Sequence, residues 1–393
     1  MKAEIQKELE NHIIPFWDAL CDYERGGFYG LVSYGLKTDK NAPKGVILHS
    51  RILWFYSNCY LVLRKKEYLD KASHCFEFLR KHCVDREYGG VYWMMNADGS
   101  VNDSMKHTYC QAFFIYAMSS YYDASGDKEA LELALNIFET VEKKCVDSVA
   151  YLEAQSREFE LIENDALSEN GLMADKTMNT VLHLIEAYTE LYRVSRNEKV
   201  LERLIFQLKL TYDRIYDKDG SKLLVFFDKE MNVIGDIHSY GHDIEATWLL
   251  DRACDVIADG GSEDFVKLRE KISVMNRKIV RNIAGIAFKE GSVLNEREND
   301  KINTWRIWWV QAESVVGFLN AYQRYGDSEY ENISRSVWNY IKEKIIDRRE
   351  GGEWYSQVDE NGTPADFKPA VDPWKCPYHN GRMCLEVIER LEF

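Results

Sequence analysis

Arg25-Gly-Gly-Phe-Tyr-Gly30 returns as Tyr88-Gly-Gly-Val-Tyr-Trp93, as Asp219-Gly-Ser-Lys-Leu-Leu224 and as Glu350-Gly-Gly-Glu-Trp-Tyr355. Gly89 follows Gly26 by 63 positions, and Gly220 and Gly351 each follow by a further 131. The spacing is one, two and two units of roughly 65 residues, the signature of a repeat architecture. The two missing copies fall near positions 150 and 285, where Ala150-Tyr-Leu-Glu153 and Gly285-Ile-Ala-Phe288 are weaker matches. Six units fill the chain.

Between the loops the apolar residues recur at helical spacing. Eleven segments carry the pattern, from His49–Leu63 to Asn380–Leu391, and Ile5–Leu20 makes twelve. Each unit reads as loop, helix, short polar turn, helix, with short strands expected in the loops. The turns are Ser125-Gly-Asp127, Ser195-Arg-Asn197 and Tyr325-Gly-Asp327, among others. An open helical array needs polar capping repeats at its ends. Here both ends are amphipathic, through Ile5, Leu9 and Ile13 and through Leu385, Ile388 and Leu391. The expected fold is therefore all-α: an (α/α)6 barrel of six helical hairpins forming a single catalytic domain over residues 1–393. An open solenoid is the alternative.

Composition narrows the function. With 50 basic against 65 acidic side chains, the net charge of -15 argues against nucleic acid and anionic membranes as partners. Met1 to Leu20 carries charges throughout, unlike a secretory signal, and no apolar run reaches the ~20 residues of a membrane span. Nine scattered cysteines without Cys-x-x-Cys pairs suggest reduced thiols and a cytoplasmic protein. No P-loop, dinucleotide fingerprint or serine-nucleophile motif is present.

The inner-helix starts carry the chemistry. In a closed ring six helix N-termini converge on one end of the axis. Their early turns supply Arg51, Tyr109, Asn179, His183, His242, Glu245, Trp309, Glu313 and His379. Ser239 and Asp175 are candidate N-caps. In His242-Asp-Ile-Glu245-Ala-Thr-Trp248 the spacing sets imidazole, carboxylate and indole near one another. Three histidines and two glutamates could hold a metal, but the order His-x-x-Glu is the reverse of the di-iron motif, and no metal is expected. Glu245 and Glu313 could be a glycosidase pair, though the site has more imidazole than hydrolysis requires. Proton abstraction α to a carbonyl fits best: a sugar C2–H is acidified when the ring opens to an aldehyde, and a neutral imidazole can remove it.

At these residues the chain resembles the N-acylglucosamine 2-epimerase superfamily over its full length, most closely the branch that epimerises cellobiose. The matching segments are Gly26–Gly30, His49–Trp54, Lys106–Tyr109, Asn179 with His183, Gly241–Trp248, Trp308–Glu313 and Trp374–Arg382, with Cys376 where many relatives have Gly. The resemblance implies cofactor-independent epimerisation at C2 of the reducing-end glucose of cellobiose, with lactose or β-1,4-mannobiose as further disaccharides. It implies that His242 and His379 are the acid/base pair, that Glu245 supports His242, and that Glu313 is essential beside the reacting sugar. Arg51 would hold the oxygens at C1 and C2, and His183 would assist ring opening. Tyr109, Asn179 and Trp248 would contact substrate, and Trp309 and Trp374 would stack on the two rings. Alternatives are an aldose–ketose isomerase of mannose type, an N-acylglucosamine 2-epimerase, or a sugar-binding protein without turnover. A monomer or weak dimer is expected.

Overall fold

The structure, a computed structural model, describes residues 1–163, 171–258 and 262–391. Six inner helices, Val46–Leu63, Thr108–Ser125, Met178–Ser195, Tyr240–Ile257, Trp308–Tyr325 and Tyr378–Arg390, pack side by side in chain order, and the sixth returns to the first. The ring is closed, as an (α/α)6 barrel requires. The outer helices Lys66–Phe78, Lys128–Lys144, Glu198–Leu210, Glu263–Ile286 and Ser328–Tyr340 each pack on the inner helix before them. The sixth hairpin has no connecting turn. It pairs the C-terminal inner helix with the N-terminal segment, Lys2–Glu8 running through Leu9–Ile13 to Ile14–Asp18. Ile5, Leu9 and Ile13 are fully buried there.

Burial explains the two helix types. Lys128–Lys144 buries Ala130, Ala134, Ile137, Phe138 and Val141, a single stripe at helical spacing, and leaves charge on its other face. Val46–Leu63 is buried nearly all round. By length and composition alone its 18 residues could cross a membrane, yet 72% of it is buried inside the barrel. An all-round apolar helix is what the inner ring needs.

After each outer helix the chain makes a small antiparallel closure: Cys21 with Phe28, Val84 with Val91, Val146 with Tyr151, Tyr216 with Leu223, Phe288 with Val293 and Ile346 with Trp354. Six closures realise the six repeats. The fifth is displaced from its expected place: Gly285 lies inside the helix Glu263–Ile286, and the turn glycine is Gly291, with φ of +79°. The outer helices before the loops at Gly89, Gly220 and Gly351 end in π turns, Leu79–Cys83, Thr211–Ile215 and Ile341–Ile345, which add a residue per turn. Those are the units whose loops are easiest to recognise in the sequence.

Buried charge fixes these loops to the helix starts. Asp22, Asp85 and Asp147 accept backbone N–H bonds inside their own turns. Each also pairs with a buried lysine two residues before an inner helix: Lys44 at 2.8 Å, Lys106 at 2.9 Å and Lys176 at 2.6 Å. The strands entering the inner helices then pair with the following loop, Lys44–Gly45 with Met94–Met95, Lys106–His107 with Ala154–Gln155, Lys176–Thr177 with Phe226–Phe227, Ile237–Ser239 with Glu296–Glu298 and Arg306–Ile307 with Gln357–Val358. A bridge from Val32 to Val371 joins the ends of this belt. The rim holding the six helix N-termini is thus tied together by backbone hydrogen bonds. Two starts differ from expectation. The third inner helix is capped by Thr177, whose hydroxyl accepts from Thr180 N–H, and not by Asp175. The fifth begins at Trp308 because Arg306–Ile307 belongs to the belt.

Candidate active site

Inside the belt lies a cavity of about 520 Å³, within the usual range for small-molecule sites. The first turns of the inner helices bring Arg51, Tyr109, Asn179, His183, His242, Trp309 and His379 to its wall, and the loop before the sixth helix adds Trp374. Eight of the eleven residues expected from the sequence are therefore together. Asn295, Gln357, Lys368 and Asp372 add further polar groups to its lining.

Each of the three cavity imidazoles has its Nδ1 engaged. His379 Nδ1 lies 2.8 Å from Glu313 Oε1 and His183 Nδ1 lies 2.9 Å from Glu186 Oε2. A carboxylate only accepts, so Nδ1 carries the proton in both rings and Nε2 is left as a lone-pair base. His242 Nδ1 lies 2.7 Å from Ser239 Oγ. A hydroxyl can donate or accept, so this ring can hold either tautomer. Ser239 stands at the N-cap position, but its hydroxyl makes no capping bond and serves His242 instead. The His242 and His379 rings both face Trp309, with centroids 4.7 and 5.5 Å from the indole.

Behind this wall is a buried ion cluster. Arg382 of the sixth helix reaches Glu186, Glu245 and Glu313, the last at 2.7 Å. Tyr378 donates to Glu186, and the Trp248 indole N–H donates to Glu313 Oε2 at 3.0 Å. Two expectations are corrected here. Glu245 does not support His242: its Oε1 accepts from Arg382, because a fully buried carboxylate is stabilised by a cation far more than by a neutral ring. Trp248 does not reach the cavity. It is 1% exposed and packs under the Arg382 guanidinium, so it cannot hold a sugar ring. The donor atoms of Glu245, Glu313 and His379 lie within 4.8 Å of one another, the geometry of a metal site. The cation on both of those carboxylates is the Arg382 guanidinium.

Arg51 is different. Its guanidinium lies 4.2 Å from the Phe113 ring centroid, donates to the Tyr109 hydroxyl at 2.7 Å, and touches the Cys376 thiol at 3.9 Å. Among the described residues no carboxylate pairs with it, and its buried Nε has no hydrogen-bond partner. A cation in this state can receive ligand oxygens. Ser239, Glu186, Tyr378 and Arg382 were missed as site residues. A signal for Glu186 existed: His183-Leu-Ile-Glu186 repeats the His-x-x-Glu spacing of His242 and Glu245.

Burial sets the protonation states. It pushes His242 down to about 3 and holds His379 well below the usual imidazole range, with Arg382 and Arg51 adding to the effect on His379. His183 is also lowered by burial despite its carboxylate partner. All three rings are neutral near pH 7. Burial raises Glu245 and Glu313, and Glu245 is raised further by its neighbour Glu313. Burial opposes the charge on Glu186, but Arg382 and His183 overcome it and hold the group at about 2.

Acid sensitivity follows. His49 and His107 are also depressed by burial, to about 4 and about 3. The unfolded chain binds protons at these histidines as pH falls below about 6.5, and the folded protein does not. Stability contributed by the neutral rings is therefore full above that pH and declines towards the folded values. Thermal unfolding at pH 5 is expected at a clearly lower temperature than at pH 7.5. An equal midpoint would mean that these rings bind protons in the folded state.

The N-acylglucosamine 2-epimerase (GlcNAc 2-epimerase) family model matches residues 26–380. A cellobiose 2-epimerase of Ruminococcus albus is 60% identical over 390 residues, covering 99% of each chain. A crystal structure of a sugar epimerase from a ruminal bacterium superposes with a TM-score of 0.97 at 58% identity and full coverage of both chains. The structure of the Bacillus thermoamylovorans cellobiose 2-epimerase superposes with a TM-score of 0.94 at 43% identity over 99% of each chain. Barrel, cavity and sequence agree, and the chain belongs to the N-acylglucosamine 2-epimerase family.

Proposed function

We propose that the chain epimerises the reducing-end glucose of cellobiose at C2, giving the mannose epimer, with other β-1,4 disaccharides as further substrates. As a member of this family it is a carbohydrate epimerase, an isomerase-class enzyme. The observation that carries the reaction is the pair of neutral imidazoles, His242 and His379, flanking Trp309 in one cavity.

The sugar ring opens when His183 Nε2 accepts the O1 proton, C1=O1 forms, C1–O5 breaks and O5 takes a proton from solvent. The aldehyde acidifies C2–H. One imidazole removes that proton, and the electrons move to O1 as a cis-enediolate. Arg51, with Tyr109 beside it, holds the oxygens at C1 and C2 and stabilises the charge as it develops. The other imidazole, having taken up a proton from solvent, acts as an imidazolium and protonates C2 on the opposite face. It returns to the neutral form, the first imidazolium releases its proton to solvent, and the ring closes by the reverse of its opening. Trp309 and Trp374 carry the two sugar rings.

The test is cellobiose turnover in heavy water. An imidazole exchanges its proton with solvent, and two bases on opposite faces deliver a solvent-derived hydrogen. Early epimer should carry nearly full deuterium at C2. An epimer without label would exclude proton transfer through the histidines. Label at C1 of a ketose would make the chain an aldose–ketose isomerase, and release of glucose a glycosidase.

A further inference from the structure

We propose that Glu186 is a positioning residue for ring opening: it fixes His183 in the tautomer that presents a bare Nε2 to the substrate's anomeric hydroxyl. The proposal rests on the epimerase reading above and adds to it a residue outside the cavity. Glu186 is 4% exposed and does not line the cavity. It stands one turn beyond His183 on the third inner helix, so its carboxylate lies on the same face as the ring.

The geometry leaves one arrangement. Oε2 receives His183 Nδ1 at 2.9 Å and also the Tyr378 hydroxyl, while Oε1 receives Arg382 and the same hydroxyl at 2.6 Å. Every partner other than the imidazole is a donor, so the carboxylate has no proton to give. Nδ1–H must then be the donor to Oε2. Rings packed around His183 limit its rotation: Tyr109 lies edge-on at 5.0 Å, Phe113 at 4.8 Å and Tyr378 at 6.4 Å between centroids. A flipped ring would turn Nδ1 away from the carboxylate and give up this buried hydrogen bond, which is costly. The same Arg382 also contacts Glu313, which holds His379 in the matching tautomer. One guanidinium therefore organises two of the three cavity bases.

A carboxylate-to-amide change beside a catalytic imidazole acts through the tautomer and can cost about 10⁴-fold in kcat. An amide NH₂ can donate to Nδ1 and drive the proton to Nε2. Glu186→Gln is expected to lower kcat on cellobiose by at least about 100-fold with KM within about three-fold. Glu186→Asp, which keeps the charge, should recover part of the loss. Nitrogen-15 NMR of histidine-labelled wild type, with His183 assigned from His183→Asn, should show Nδ1 protonated and Nε2 bare at pH 7. An Nε2–H tautomer in the wild type, or wild-type kcat in Glu186→Gln, would overturn the proposal. The NMR result stands even where the variant does not fold. Wild-type enzyme that makes no epimer would instead remove the functional reading and leave the tautomer question to the spectrum.

Discussion

Replacing His379 by alanine should lower kcat on cellobiose by about 10³- to 10⁴-fold, while cellobiose affinity stays within a few-fold. Loss of a positioned acid/base group costs an enzyme about 10²- to 10⁴-fold, and a ring that acts on carbon lies at the upper end. Affinity should persist because the other binding groups, Arg51, Tyr109, Trp309 and Trp374, are untouched. The fold should persist as well. Glu313 keeps Arg382 and the Trp248 N–H, so no buried charge is left without a partner. Calorimetric titration with cellobiose beside a turnover assay separates the outcomes. Affinity lost together with turnover would make His379 a binding group and favour a sugar-binding role. Turnover close to wild type would remove it from the mechanism.

Arg382→Met should be the most destabilising single change in the cavity region. It removes a guanidinium shared by Glu186, Glu245 and Glu313, all buried. Breaking a buried pair by deleting one partner costs about 3–5 kcal/mol, because the remaining charge is stranded. The carboxylates would respond by taking up protons, and Glu245 is already shifted in that direction. A large fall in the thermal midpoint is expected, steeper at pH 8 than at pH 6. Adding Glu245→Gln to Arg382→Met should restore part of it by removing one stranded charge. An unchanged midpoint in the single variant would mean that the cluster adds nothing to stability.

The architecture was legible because it repeats. Glycine spacing and helical periodicity are one-dimensional signals, and among the described residues both survive into six closures and a ring of six inner and six outer helices. The cavity wall was legible because helix starts in a closed ring must converge, so early-turn polar residues could be pooled without knowing any side-chain direction. What lay behind the wall was not. Glu245 and Trp248 share a helix with His242, and spacing alone placed them with it. The partners that claim them, Arg382 and Glu313, come from other helices. Arg382 lies more than a hundred residues from Glu186 and Glu245, and no local pattern encodes that meeting. Ser239 was read as a cap, a role many serines fill, whereas its hydroxyl is committed to the ring three residues on.

The hairpin built from both ends of the chain has a consequence for biosynthesis. Lys2–Asp18 leaves the ribosome long before its packing partner, Tyr378–Arg390. At about 5–20 residues per second, the first helix waits roughly 20 to 70 s with Ile5, Leu9 and Ile13 uncovered. The late helix also brings His379 and Arg382. A nascent chain can stack five hairpins and still lack both a cavity imidazole and the counter-ion of three glutamates. Closing the ring therefore does two things at once: it covers the apolar stripe of Ile5, Leu9 and Ile13, and it completes the cavity wall with His379.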